Sequence, residues 1–137
     1  MTTQRQQHRP PRDGRGSATA QTVLVFPALL FVILLIIQFA LYAHAVSVAE
    51  AAAQDGAAIA RRADGTKAGA EAAANQSLAS LGPRMLDTKN VVANRTATQA
   101  SVTVTGTVIS IVPGVNLTIR ETASGPVERF VPQDGRP

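Results

Sequence analysis

Residues 20–45 read AQTVLVFPALLFVILLIIQFALYAHA, a stretch without a charged side chain. Its centre, residues 23–37, is an unbroken apolar run, and the run resumes at Phe39 after the polar Gln38. The hydrocarbon core of a bilayer, about 30 Å thick, requires about 20 mostly apolar residues in helical form. Backbone groups in lipid must hydrogen-bond to one another, which makes such a segment helical. The sequence therefore predicts one transmembrane helix, with its span at about residues 22–43.

The charge pattern around this span predicts its orientation. Four arginines precede it: Arg5, Arg9, Arg12 and Arg15. Beyond it, the nearest cations are Arg61 and Arg62. Positive residues favour the cytoplasmic side, so we expect the N-terminus in the cytoplasm and the C-terminal domain outside. Most of the net charge of +4 lies in residues 1–16, beside the span, so it does not indicate nucleic-acid binding.

The composition also excludes several kinds of site. The chain has no cysteine, and therefore neither a disulfide nor a thiolate metal site. Its two histidines, His8 and His44, flank the predicted span and cannot meet within one chain. Glu121 and Glu128 are separated by a proline and are interpreted as solvated side chains. We predict no enzyme activity, no cofactor, no metal and no small-molecule substrate.

Two alanine-rich helices are expected outside the membrane. Residues 46–63 continue the long helix, since alanine is the best helix former, and Asp64-Gly65 ends it. Residues 67–81 form a second helix after the N-cap candidate Thr66, and Gly82-Pro83 stops it.

The remaining sequence changes to a period of two, which is typical of strands. We predict strands at residues 90–95, 100–108 and 117–123. The alternation slips at residues 108–111, with Gly106 nearby, which predicts a bulge or bend. Gly125-Pro126 predicts a break in the third strand, beyond which residues 127–131 continue it. The fold class is therefore α+β: a long N-terminal helix, a short helix and a small antiparallel sheet of about three strands.

The junction before the span carries a family resemblance. It reads Arg-Gly-Ser-Ala-Thr-Ala-Gln over residues 15–21, and the apolar run then begins Val-Leu-Val-Phe-Pro. A basic leader that ends in glycine, with a polar residue five positions later, resembles a type IV prepilin leader. The whole junction is more similar to the TadE-like family, the pseudopilins of bacterial tight-adherence (Flp) pilus assembly. The long helix followed by a sheet has the pilin-like layout, and we extend the resemblance to about residue 130.

The resemblance implies how the chain is processed and what it contacts. A prepilin peptidase would cleave after Gly16, so that Ser17 becomes the N-terminus in the cell membrane. Other pilin-like subunits, the pilus assembly platform and the lipid bilayer are the implied partners. Gln21 stands at the fifth mature position, where the family usually has glutamate. An amide cannot neutralise a neighbouring subunit's amine, which favours a minor pilin or pseudopilin over a major one. The other interpretation of Gln21 is a polar residue at the headgroup boundary.

Two further residues within the span are candidates for a role in assembly. Pro27 leaves the Val23 carbonyl without its usual helical partner and should bend the helix, and a proline here also belongs to the resemblance. Gln38 either hydrogen-bonds to another helix or extends toward the outer boundary of the membrane, and we favour the second interpretation.

An alternative function remains open. Ala43-His44-Ala45 has the pattern that signal peptidase cleaves, which would leave a secreted or membrane-anchored binding domain without a pilus role. The apolar run is longer than the roughly 7–15 residues of a signal sequence, which argues against cleavage there. We divide the chain into a basic leader (1–16), a long helix (17–65), an extracytoplasmic helix and sheet (66–131) and a flexible tail (132–137).

Overall fold

The computed structural model describes the backbone of residues 15–129 and the side chains of residues 21–129. Its elements are α1 (Arg15–Arg61), α2 (Lys67–Leu81), β1 (Leu86–Arg95), β2 (Gln99–Val108) and β3 (Leu117–Pro126). The predicted α+β order is confirmed. The arginines of the leader before Arg15, and the tail predicted at 132–137, lie outside the described residues.

The chain divides into two compact units within α1. The first ends at Leu34, and its described part is helical throughout. The second begins at Leu35 and contains the rest of α1, the second helix and the sheet.

The sheet is an antiparallel meander with β2 in the centre. Alternate residues of β2 are buried, and the intervening threonines are partly exposed, as the period-two pattern predicts. On the open face, Thr103 and Thr122 are joined across strands by a hydrogen bond of 2.9 Å. On the buried face, Val102, Val104 and Val108 are the largest fully buried side chains. Burial contributes roughly 1.5–3 kcal/mol for each such residue.

The hydrophobic core of the second unit packs this face of the sheet against the two helices. One cluster joins Val104, Val108 and Ile119 to α1 and to Leu78 of α2. A second cluster joins Val102 to small residues of both helices and of β1. Most of the buried residues of α1 are alanines: Ala45, Ala49, Ala52, Ala53, Ala57 and Ala60. The alanine-rich sequence therefore supplies a smooth helix surface as well as helix propensity.

The ends of the helices are held by specific hydrogen bonds. Thr66 caps α2, accepting a 3.0 Å hydrogen bond from the Gly69 N–H. The guanidinium of Arg95, at the end of β1, donates to carbonyls at the end of α1: those of Ala60, Arg62 and Ala63. A cation at a helix C-terminus is favourable because the last carbonyls lack helical partners.

The strands differ from the predictions at two places. The bulge or bend predicted at residues 108–111 does not lie within β2, because β2 pairs regularly through Gly106 and ends at Val108. The irregularity lies in β1, between Leu86 and Thr88. The predicted break at Gly125-Pro126 is wrong, because β3 pairs with β2 through both residues and ends there. Proline is tolerated at this position because β3 is an edge strand.

Gly56 lies where α1 closely approaches both α2 and the sheet. A Cβ atom here would stand 2.9 Å from the Ala70 carbonyl oxygen and 3.1 Å from a methyl group of Val102. Replacing Gly56 by alanine is therefore expected to destabilise the fold by about 2 kcal/mol, because close-packed backbone must shift. Helix propensity alone would give a gain of about 1 kcal/mol.

The measurement is thermal unfolding of the detergent-solubilised chain, followed by circular dichroism. Ala58→Gly is the matched control, since Ala58 is exposed on the same helix and should lose only its propensity, about 1 kcal/mol. A Gly56→Ala variant more stable than the wild type would contradict the close approach.

Candidate functional site

The most unusual surface of the molecule is the exposed apolar part of α1. Its large exposed apolar side chains are Val23, Leu24, Val25, Phe26, Leu29, Leu30, Phe31, Val32, Ile33, Leu35, Ile36, Ile37 and Phe39. Over an 18-residue segment of this helix the mean hydropathy is 2.9, and only 6% of that segment is buried. Among the described residues, this helix is long and apolar enough to span a membrane, which fits a single-pass membrane protein.

The exposed apolar surface surrounds the helix rather than following one face. From Ala45 onwards the same helix has the ordinary pattern of a buried stripe and an exposed polar side, with Glu50 and Gln54 exposed. A helix that is apolar all round requires lipid or other apolar helices around it. The composition of α1 therefore changes at about residue 40 from a surface suited to lipid to one suited to packing against a sheet.

The predicted processing residues lie at the beginning of α1. Gly16 and Ser17 follow Arg15 in helical conformation, and the first turn contains no acidic residue. Gln21 is exposed and lines a shallow depression whose other walls include Val25, Phe26 and Leu29. The structure thus places Gln21 on an open, largely apolar surface.

Pro27 lies inside α1, which continues on both sides of it. Its ring nitrogen has no hydrogen to donate to the Val23 carbonyl. Pro27 is exposed, like the apolar residues around it.

Gln38 is the polar residue whose position the sequence predicted least well. Its side chain is only 3% exposed and lies against another part of the chain, so it does not extend freely toward the outer boundary of the membrane as we predicted. Gln38 Nε2 donates to the Ile109 carbonyl oxygen (3.3 Å), and Gln38 Oε1 accepts from the Ile111 N–H (2.8 Å). The hydroxyl of Ser110 also donates to Oε1 (3.4 Å). The partner is therefore a loop of the same chain, which satisfies both ends of the amide.

That loop, residues 109–116, joins β2 to β3 and reads ISIVPGVN. It turns at Pro113-Gly114, where the Val115 N–H donates to the Val112 carbonyl (3.2 Å). Gly114 has a φ of 82°, which favours glycine over other residues, and proline before it is typical of a type II turn. The Pro-Gly pair predicted the turn, but no local pattern predicted its contact with Gln38.

Three other contacts between elements were not predicted. The carboxylate of Glu71 in α2 accepts from the Ala93 N–H in β1 (3.0 Å). Asp55 of α1 accepts from the hydroxyl of Ser77 in α2 (2.7 Å). Arg95 caps α1, as described above. These contacts fix the helices to each other and to the sheet, and they give no sign of a catalytic site.

The described residues contain no group of three acidic or histidine side chains placed to hold a metal ion. His44 is exposed on α1. The features that remain for function are the helix start at Gly16, the apolar surface beyond it and the Gln38 contact.

Comparison with known proteins connects the first two of these features. Residues 16–58 match the model of a family described as TadE-like protein, which confirms the resemblance over this segment. The match begins at Gly16 and includes Gln21, Pro27 and Gln38. The second helix and the sheet, to which we had extended the resemblance, lie beyond the matched residues. No curated protein and no solved structure matches the chain.

Proposed function

We propose, from the TadE-like match of residues 16–58, that this chain is a minor pilin or pseudopilin. It would take part in assembling a tight-adherence (type IV-like) pilus or a related secretion machine. The observation that carries the proposal is that the match begins at Gly16 and continues through the exposed apolar helix. The TadE-like family is a pilus component rather than an enzyme family. The chain would cross the cell membrane once, with its N-terminus in the cytoplasm.

In this proposal a prepilin peptidase cleaves after Gly16 and leaves Ser17 at the N-terminus. Gln21 lies about one helical turn after Ser17 along α1. The amide of Gln21 can accept a hydrogen bond from a neighbouring subunit's amine, but it cannot cancel the charge. This supports a subunit present in few copies, in contact with other pilin-like subunits and the assembly platform.

The packing of Ala45 disfavours the alternative, a binding domain released by signal peptidase. Cleavage after Ala45 would remove Gln38 and with it the hydrogen bonds to the β2–β3 loop. It would also cut α1 at a fully buried residue of the hydrophobic core.

N-terminal sequencing and intact mass of the protein from native membranes test the processing step. We expect a mature start at Ser17. Replacing Gly16 by valine is expected to abolish cleavage and leave the leader attached, because the resemblance places a glycine directly before the cleaved bond. Gly14→Val is the matched control, and it should be cut normally. A start at Val46 in the wild type would contradict the proposal.

The role in assembly is tested in the native host after deletion of the gene. Restoring the wild-type chain should restore surface pili, and restoring Gly16→Val should not, although the variant accumulates in the membrane. Unchanged piliation in the deletion strain would argue against a part in assembly.

A further inference from the structure

We propose that the β2–β3 loop, residues 109–116, is a second membrane-contacting element that lies in the outer interfacial region beside the transmembrane helix. The inference rests on the proposed membrane location of α1. It adds that the folded domain sits on the bilayer through this loop, instead of standing in water at the end of the helix.

The contact with Gln38 fixes the level of the β2–β3 loop along α1. Gln38 lies about five residues before the end of the predicted span at residue 43, which is about 7 Å along a helix. Its side chain is hydrogen-bonded to the backbone of Ile109 and Ile111, within the unit that begins at Leu35. The loop therefore lies beside α1 at the level of the last part of the span.

The loop exposes apolar side chains beside those of α1. Ile109 and Ile111 are 40% and 39% exposed. On α1, close in sequence to Gln38, Ile37 and Phe39 are also exposed, at 45% and 71%. Residues 96–119 contain no charged side chain. The loop thus extends the apolar surface of the helix sideways, and a bilayer that covers one would cover the other.

Several backbone groups of the loop are hydrogen-bonded within the protein. Irregular backbone at membrane depth is tolerated only where its hydrogen bonds are made within the protein. The Ile109 N–H donates to the Met85 carbonyl (3.2 Å), and the Val112 carbonyl accepts from both Ser110 Oγ (2.8 Å) and the Val115 N–H. The side-chain amide of Gln38 donates to the Ile109 carbonyl and accepts from the Ile111 N–H.

Pro113 has no N–H to satisfy, so the turn also presents one donor fewer to lipid. The backbone groups of Ile109 and the Ile111 N–H, next to α1, are therefore paired within the protein, which is compatible with a position beside lipid.

Charged residues at the same end of the sheet limit the depth. Leu86 pairs with Val108, and Asp87 follows it directly. Arg84 and Asp87 are exposed. Insertion should therefore stop at the strand ends, which agrees with the roughly 5–10 Å depth of interfacial elements.

Single-cysteine labelling can test the inference cleanly, because the chain has no cysteine of its own. An environment-sensitive fluorophore is attached to Ile111→Cys in the full chain, reconstituted in phosphatidylcholine–phosphatidylglycerol vesicles. Ala97→Cys is the control for a position in water. It is exposed in the β1–β2 turn, at the other end of β2, about 30 Å away. Val32→Cys is the control for the span.

We expect the label at position 111 to be quenched by spin-labelled lipid, protected from aqueous iodide and shifted to shorter emission wavelengths. The label at position 97 should show the reverse. Ile109→Cys repeats the measurement in case the first variant is unstable, as judged by thermal unfolding.

Three results would overturn the inference. If the label at position 32 is quenched by lipid but the label at position 111 is accessible to iodide, the loop lies in water although α1 still spans the membrane. Failure of lipid quenching at both positions would overturn the proposed membrane location as well. Protection of position 111 only at high protein-to-lipid ratio would show that a second copy of the chain, and not the bilayer, covers the loop.

Discussion

Arginine at both Val32 and Ile33 is expected to remove most of the chain from the membrane fraction. Thirteen large apolar side chains between residues 23 and 39 are exposed, and each favours insertion by about 0.3–0.6 kcal/mol near the centre of a span. Together they supply about 4–8 kcal/mol. Two arginines at the midpoint replace two of these side chains and oppose insertion by about 5–7 kcal/mol, which matches or exceeds the roughly 3–7 kcal/mol that the other eleven supply. A single Val32→Arg substitution should leave insertion favourable.

The measurement is the fraction of the chain retained in carbonate-washed membranes. The matched control places two arginines on the same helix outside the span, at Gln54 and Ala58, both of which are exposed. The control should remain in the membrane as the wild type does. Full retention of the double variant at residues 32 and 33 would show that α1 is not held by lipid around its centre.

The sequence predicted best those elements whose limits depend on neighbouring residues. The bounds of α2 follow from Thr66 before it and Gly82-Pro83 after it, and the structure places the helix at Lys67–Leu81 as predicted. The burial of alternate residues in β2 follows from its valines and threonines. The long helix was predicted at residues 17–65 and lies at Arg15–Arg61, and the TadE-like resemblance drawn at the Gly16 junction agrees with a family match that begins there.

The sequence predicted less well whatever depends on partners far along the chain. β1 begins at Leu86, four residues before the predicted strand, because pairing with β2 extends it. β3 includes Gly125 and Pro126, where a break was predicted, because proline is tolerated in an edge strand. Arg95 caps a helix that ends more than thirty residues earlier. None of these outcomes has a local pattern that indicates it.

The two glutamines of the apolar helix illustrate the same difference. Gln21 is exposed on α1, so the assembly role that we propose for it would require a partner outside the fold of this chain. Gln38 has a similar sequence context, one polar residue among apolar ones, yet its amide is used within the chain. A polar residue in a predicted span can therefore bind a loop of its own chain, and a second helix need not be invoked.

Replacing Gln38 by leucine is expected to destabilise the second unit by about 3 kcal/mol. Leucine is of similar size, so the main loss is hydrogen bonding. The Ile109 carbonyl and the Ile111 N–H would be left without their partner, and each buried group without one costs about 1–3 kcal/mol. In a domain of this size that free energy corresponds to a fall of about 15 °C in the unfolding temperature.

Thermal unfolding in detergent micelles measures the global effect, and amide hydrogen exchange measures the effect at the loop. Exchange should accelerate most at Ile111, whose N–H loses its acceptor. Gln54→Leu is the matched control, because Gln54 lies on the same helix, is exposed and donates a hydrogen bond to Glu50 four residues away. That control should change stability by less than about 0.5 kcal/mol. If Gln38→Leu lowered the free energy of unfolding no more than the control does, water or detergent would be hydrogen-bonding to the loop backbone. Gln38 would then not be the residue that holds the loop against α1.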